Sequence, residues 1–143
     1  MKIAQPHDWQ TSPISSDKVL VKLYEAYTYD EIQLIRRGLI PEVMEDKWFI
    51  YWKDNSLYFH RSWTGFCIYI VHFSIYDGGG RILNAEINTD RDVCSLSIAE
   101  HIKFIPYYIE LFLLKGNPPY PLQDDSPLSA LEAWSNIGRA LLS

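Results

Sequence analysis

Apolar and polar positions divide this chain into stretches of different period. Residues 1–17 are polar, rich in Ser and interrupted by Pro6 and Pro13, and predict an irregular arm. Lys18 to Tyr27, KVLVKLYEAY, is rich in Val, Leu and Tyr and predicts a strand, although its alternation is imperfect. A helix follows. Thr28 with Glu31 three residues on has the form of a capping box, Ile32 and Ile35 make one apolar stripe, and Gly38 stands where a C-terminal cap is needed. Arg36 and Arg37 fall in its last turn, where cations complement the helix dipole. A second short helical turn is expected at Pro41, carrying Glu42, Glu45 and Asp46.

The period then changes to two. Lys47 to Phe73 holds three of the five Trp and reads as strands joined by tight turns. Lys53-Asp54-Asn55-Ser56 has the residues to connect Trp48–Trp52 to Leu57–Trp63 as a hairpin, and Thr64-Gly65 permits a second turn before a strand from Phe66 to Ile75. Asp77-Gly78-Gly79-Gly80 is the clearest turn in the chain. From Arg81 to Asn88, Leu83, Ala85 and Ile87 alternate with Asn84, Glu86 and Asn88 as a further strand.

Helical spacing returns after Ser97. Ser97 and Glu100 form another capping box, Ile98, Ile102, Ile105, Ile109 and Phe112 recur on one face, and Gly116, Pro118 and Pro119 end the run. Pro106 lies inside it and predicts a kink, because it removes a backbone donor. A last helix is expected from Ser126 and Pro127, with Leu128, Leu131, Trp134, Ile137 and Leu141 on its apolar face. The pattern as a whole predicts one α+β domain over residues 1–143. It consists of an antiparallel sheet of about four or five strands with helices on one face, the long kinked helix lying against the sheet.

Composition narrows the functions open to such a domain. A chain of 143 residues suits a single core, and 15% aromatic residues is high, which calls for either a large core or a stacking surface. The net charge of -5 argues against general nucleic-acid binding, which rests on Lys and Arg neutralising phosphates. Cys67 and Cys94 form no CxxC pair, and His7, His60, His72 and His101 show no metal-binding spacing, so neither a metal nor a cofactor is expected. No signal-like or membrane-length apolar run is visible, so a cytoplasmic protein without membrane contact is expected.

The densest group of chemically capable side chains is His60-Arg61-Ser62-Trp63-Thr64-Gly65. In an extended strand Arg61 and Trp63 share one face, where a guanidinium fork and an indole platform can hold a planar anion. His60, Ser62 and Thr64 share the other, where His60 is the candidate for acid–base chemistry. The structural alternative is Arg61 packed beside Trp63 on an exposed face, with His60 hydrogen-bonded in a core. Asp30 with Glu31, and Glu42 with Glu45 and Asp46, read as caps or solvated faces rather than catalytic carboxylate pairs. Ser62 lacks a GxSxG elbow, and Gly78-Gly79-Gly80 lacks the context of a phosphate-binding loop.

The runs WFIYW, LYFHRSWTG and CIY, within Met44 to Val71, resemble the core of a group of small, mostly uncharacterised bacterial proteins and accessory domains associated with ADP-ribose-handling enzymes. That resemblance implies a site at His60, Arg61, Trp63 and Thr64 for a nucleotide-like ligand, and no particular reaction. Three functional expectations follow. The first is a small-molecule binding module for an anionic planar ligand such as a nucleotide or ADP-ribose derivative, gripped by Arg61 and Trp63 with Arg36, Arg37 or Arg81 as auxiliary cations. The second is a protein-interaction or inhibitor module of the immunity type, presenting an acidic, aromatic surface. The third is an enzyme with His60 as general base, which requires a carboxylate or hydroxyl within reach of that ring.

Overall fold

The polypeptide folds around an antiparallel sheet whose six strands are β1 (Lys18–Lys22), β2 (Ala26–Thr28), β3 (Trp48–Lys53), β4 (Ser56–Arg61), β5 (Cys67–Tyr76) and β6 (Gly79–Asn88). A computed structural model describes residues 2–121. The strand order is β1-β6-β5-β4-β3, with β2 also paired to β6. Helix α1 (Tyr29–Arg37) follows β2, and α2 (Ile98–Tyr108) follows β6 and passes into a π-helical turn at Ile109–Leu113. Among the described residues no helix is long and apolar enough to cross a membrane.

The local chemistry explains these elements. Thr28 and Ser97 each accept the N–H of the residue three positions on, while Glu31 and Glu100 return the bond to the cap, so both helices begin with closed capping boxes. Asp54 and Asn55 adopt φ of 52° and 58°, the two left-handed residues that a two-residue hairpin turn needs. That turn sets Trp48 opposite Arg61 and Phe49 opposite His60.

Two clusters hold the sheet. Trp48, Ile50, Leu57, Phe59, Tyr69, Val71, Ala85 and Ile87 point to one face, where they pack with Ile32 and Ile35 of α1 and with Phe104, Ile105 and Tyr108 of α2. Each large apolar side chain among them contributes on the order of 2 kcal/mol through burial alone. On the opposite face Phe49 and Tyr51 form a smaller cluster with Ala4, against which Trp9 and Tyr58 pack.

Three expectations change. The sheet has six strands rather than about four or five, because Lys18 to Tyr27 divides into β1 and β2, interrupted by Leu23, which turns into the core. The amino-terminal arm is irregular apart from a 3-10 turn at Pro6–Asp8, yet it is part of the packing, because Ala4 and Trp9 cover the Phe49 side of the sheet. No helical turn forms at Pro41. The Asp46 carboxylate instead accepts the N–H groups of Glu42 at 2.9 Å and Val43 at 3.3 Å, and Asp46 N–H bonds Val43 O at 3.1 Å, so the segment closes as a reverse turn. Pro106 lies inside α2, and a change of helical spacing follows it. From Ile109 the ladder changes to π spacing, with Leu114 N–H bonded to Ile109 O at 3.1 Å. The helix expected over residues 126–141 lies outside the described residues.

Candidate functional site

The end of β4 builds the site. Arg61 is its last residue, and the chain then turns because Ser62 is tied to the preceding loop: its N–H bonds Lys47 O at 2.9 Å and its hydroxyl bonds Asp46 O at 2.6 Å. Trp9 of the amino-terminal arm adds a bond from Nε1 to Ser62 O at 2.7 Å. Gly65, at φ 78°, closes the turn by donating its N–H to Arg61 O at 2.8 Å. A Cβ at this glycine would stand 2.8 Å from Gln10 O, so the arm and the turn fit only without one.

This turn breaks the alternation that an extended strand would impose. Arg61, Trp63 and Thr64 consequently line one cleft of about 270 Å³, together with Lys47, Phe66, Asp92 and Val93. Trp63 is 64% exposed, anchored by Nε1–H to Met44 O at 2.8 Å. The Lys47 ammonium lies 3.7 Å from the centroid of its ring. Arg61 points to the helix side of the sheet, its guanidinium carbon 5.0 Å from the centroid of Trp48. Two cations, a hydroxyl and two accessible aromatic rings therefore converge on one opening, with Asp92 as the acid at its margin.

Behind the cleft is a buried polar group. The Tyr69 hydroxyl meets His101 Nδ1, and His101 Nε2 faces Cys94 Sγ at 3.5 Å. Burial pushes the imidazole pKa of His101 down to about 4, leaving it neutral at pH 7. Burial also raises the Cys94 thiol, which backbone N–H groups and the nearby Arg61 charge only partly oppose. The thiol is therefore protonated at neutral pH and is a poor nucleophile at rest.

The other predicted residues lie elsewhere. His60 occupies the opposite face of the sheet at 3% exposure, near Phe49 and Tyr51. Its Nδ1 bonds the Gly65 carbonyl at 2.9 Å, which requires the proton on that nitrogen, and Nε2 finds no hydrogen-bond partner among the described residues. Burial lowers its pKa. Among the described residues the ring has neither the carboxylate nor the hydroxyl that a general base at this position requires. Arg36 reaches the Trp52 ring at 6.0 Å and borders a different cleft with Tyr29 and Tyr76. Arg37 closes α1, its carbonyl accepting Ala4 N–H at 2.8 Å, and is not among the residues lining the Arg61 cleft.

Lys47, Phe66, Asp92 and Val93 carry no sequence signal that marks them as site residues by chemistry. Lys47 is recoverable by register, because a turn centred on Asp54-Asn55 puts Trp48 opposite Arg61 and so brings Lys47 to the same strand end. Asp92 and Val93 belong to the irregular connection between β6 and α2, and no local pattern marks them. Among the described residues no group of three or more His, Cys, Asp or Glu could hold a metal ion. Compared with protein-family models, curated proteins and solved structures, the chain matches none.

Proposed function

We propose that the protein is a binding module for a small anionic ligand with a planar part, such as a nucleotide or ADP-ribose derivative, held in the cleft of Arg61 and Trp63. The observation that carries this reading is the convergence of Lys47, Arg61, Trp63 and Thr64 on one opening of about 270 Å³. Arg61 offers a fork of donors to a phosphate or carboxylate, Lys47 a second charge and Thr64 a hydroxyl. The open face of Trp63 and the ring of Phe66 offer stacking, worth about 1–3 kcal/mol per base in other proteins. The volume is near the lower end of small-molecule sites, which favours a mononucleotide-sized ligand over a dinucleotide. Free Cys67 and Cys94 suit a reducing, cytoplasmic setting.

Thermal stability measured with mononucleotides, ADP-ribose and dinucleotides tests the reading. A ligand at one hundred times its Kd stabilises the folded state by about 2.7 kcal/mol. Wild type should respond to one of these classes, whereas Lys47→Ala and Arg61→Ala should fold and not respond. Absence of any response across the panel would sink the proposal.

A protein-binding reading draws support from one further observation. Met44 is 76% exposed beside Trp63, and Phe66 is also exposed at the same end, so the cleft is rimmed by accessible apolar side chains. A chain of net charge -5 would suit a basic partner. Under that reading Trp63→Ala abolishes a salt-sensitive complex while no small anion binds.

A further inference from the structure

The uncovered part of the second sheet face carries another group of reactive side chains, independent of the Arg61 cleft. Ser56 of β4 stands directly opposite His72 of β5, and Glu86 of β6 lies diagonally across from His72. Ser56 Oγ is 2.7 Å from His72 Nδ1, His72 Nε2 is 2.8 Å from Glu86 Oε2, and Glu86 Oε1 is 2.6 Å from Lys18 Nζ. Four adjacent strands thus align a hydroxyl, an imidazole, a carboxylate and an ammonium in one chain.

The proton positions along this chain follow from its acceptors. Burial would raise the Glu86 carboxyl, but bonds from Lys18 and His72 outweigh that and hold it below its usual value, so it is ionised at neutral pH. An ionised carboxylate only accepts, so in the neutral form of His72 the proton sits on Nε2 and Nδ1 is left as a lone pair. The Ser56 hydroxyl must then donate to Nδ1. This is the polarity of a serine nucleophile, its base and the acid that orients the base, with the two ring nitrogens exchanged relative to the common arrangement.

Space borders the His72 and Glu86 end of the relay, with Ser56 one hydrogen bond behind it and not among the lining residues. His72, Glu86 and Asn84 border a hollow of about 540 Å³ together with Lys18, Val19 and Leu20. Leu20 is 64% exposed and offers an apolar wall.

We propose that Ser56 is an activated nucleophile that takes acyl groups from small esters, with His72 as its base and Glu86 as a positioning residue. Ser56 Oγ bonds to the ester carbonyl carbon while its proton passes to His72 Nδ1. The bond to the alcohol oxygen then breaks, and the alcohol leaves with the proton from Nδ1. Water repeats the sequence on the acyl-serine, releasing the carboxylic acid and restoring the hydroxyl.

The same bonds would also form in an inert brace across the strands, and covalent labelling separates the two. Ser56 is only 6% exposed, so the probe is the small reagent diisopropyl fluorophosphate. It forms an Oγ–P bond as P–F breaks, the hydroxyl proton leaving with fluoride. The expected result is one adduct on Ser56 by peptide mass spectrometry of the native protein. His72→Gln should slow its formation by about 100-fold, within the usual range for losing a general base, with the melting temperature retained. Glu86→Gln should slow it to a smaller extent, and Ser56→Ala should abolish hydrolysis of p-nitrophenyl butyrate. No adduct on Ser56 in the folded wild type, or an adduct formed equally fast in the folded His72→Gln or Glu86→Gln protein, overturns the proposal. The wild-type experiment decides even where a variant fails to fold.

Discussion

Lys47 holds its ammonium 3.7 Å from the centre of the Trp63 indole, while Trp63 donates Nε1–H to the carbonyl of Met44, three residues before Lys47. One loop therefore fixes the indole at two points, by charge on its face and by a hydrogen bond at its edge. The indole stays accessible without being loose. Such preorganisation lowers the entropic cost of stacking a ligand on it.

Because the contact is exposed, it should matter far more to binding than to folding. A solvent-exposed cation–π pair contributes about 0.5–1 kcal/mol. Lys47→Met and Trp63→Ala should each leave the stability measured in urea within that margin while ligand or partner binding is lost. A stability loss on the order of 3 kcal/mol in either variant would instead assign the pair to the core.

The edge of the sheet next to this site rests on a glycine. Gly38 adopts φ 67°, and a Cβ there would fall 2.1 Å from the Ile50 carbonyl oxygen, which already accepts Leu39 N–H at 2.8 Å. Gly38→Ala combines backbone strain with a clash against main chain that cannot step aside. We expect it to cost about 3 kcal/mol or more. Gly78 also has positive φ, at 90°, but nothing stands within 4 Å of a Cβ built on it, so Gly78→Ala should cost only about 1–2 kcal/mol. Urea denaturation of both variants checks the difference, and equal losses would contradict the close approach of Leu39 to β3.

The two cysteines offer a probe of the same packing. Cys67 is buried, and desolvation pushes its thiol up to about 12, whereas Cys94 is half-buried and raised less strongly. Under native conditions an aromatic disulfide reagent should modify Cys94 slowly and Cys67 only on unfolding. Rapid release of two thiols from the folded protein would show that β5 opens far more easily than its burial implies.

The sequence carried the local signals well and the long-range ones poorly. Both capping boxes, at Thr28 and Ser97, and the Asp54-Asn55 turn were legible because each is decided by residues no more than three apart. The α+β character followed from them. Arg61, Trp63 and Thr64 stand out by chemistry, but an extended strand would have put Thr64 on the other face. What brings it round is a turn held by hydrogen bonds to Trp9, Ser12 and Lys47, all distant in sequence. The relay of Ser56, His72 and Glu86 was equally hidden, since it depends on the register of three strands and on a bulge between His72 and Phe73. Alternation within one strand carries no information about such a register.

Buried histidine should govern stability in mild acid. His101 is neutral in the folded protein, its pKa lowered by burial to about 4 from an ordinary 6.5, with only Glu100 pulling the other way. Its ring lies between Tyr69 and Cys94, neither of which supplies a negative charge at these pH values. The unfolded chain therefore binds a proton on this residue below pH 6.5 that the folded chain refuses until about pH 4. Stability from this source is complete above 6.5 and is lost as the pH falls toward 4, by about 3 kcal/mol at roughly 1.4 kcal/mol per pH unit. His60, also lowered by burial, adds a loss of the same sign. The carboxylates of Asp8, Glu86 and Glu100 are held below their usual values, so their contributions vanish only below about pH 4.5. The interval from about 6.5 to about 4.5 thus isolates the histidines. Urea titrations at closely spaced pH values should show a steady fall across it in the wild type and a markedly flatter profile in His101→Gln. An unchanged slope in that variant would mean that the His101 ring is protonated, or reached by water, in the folded state.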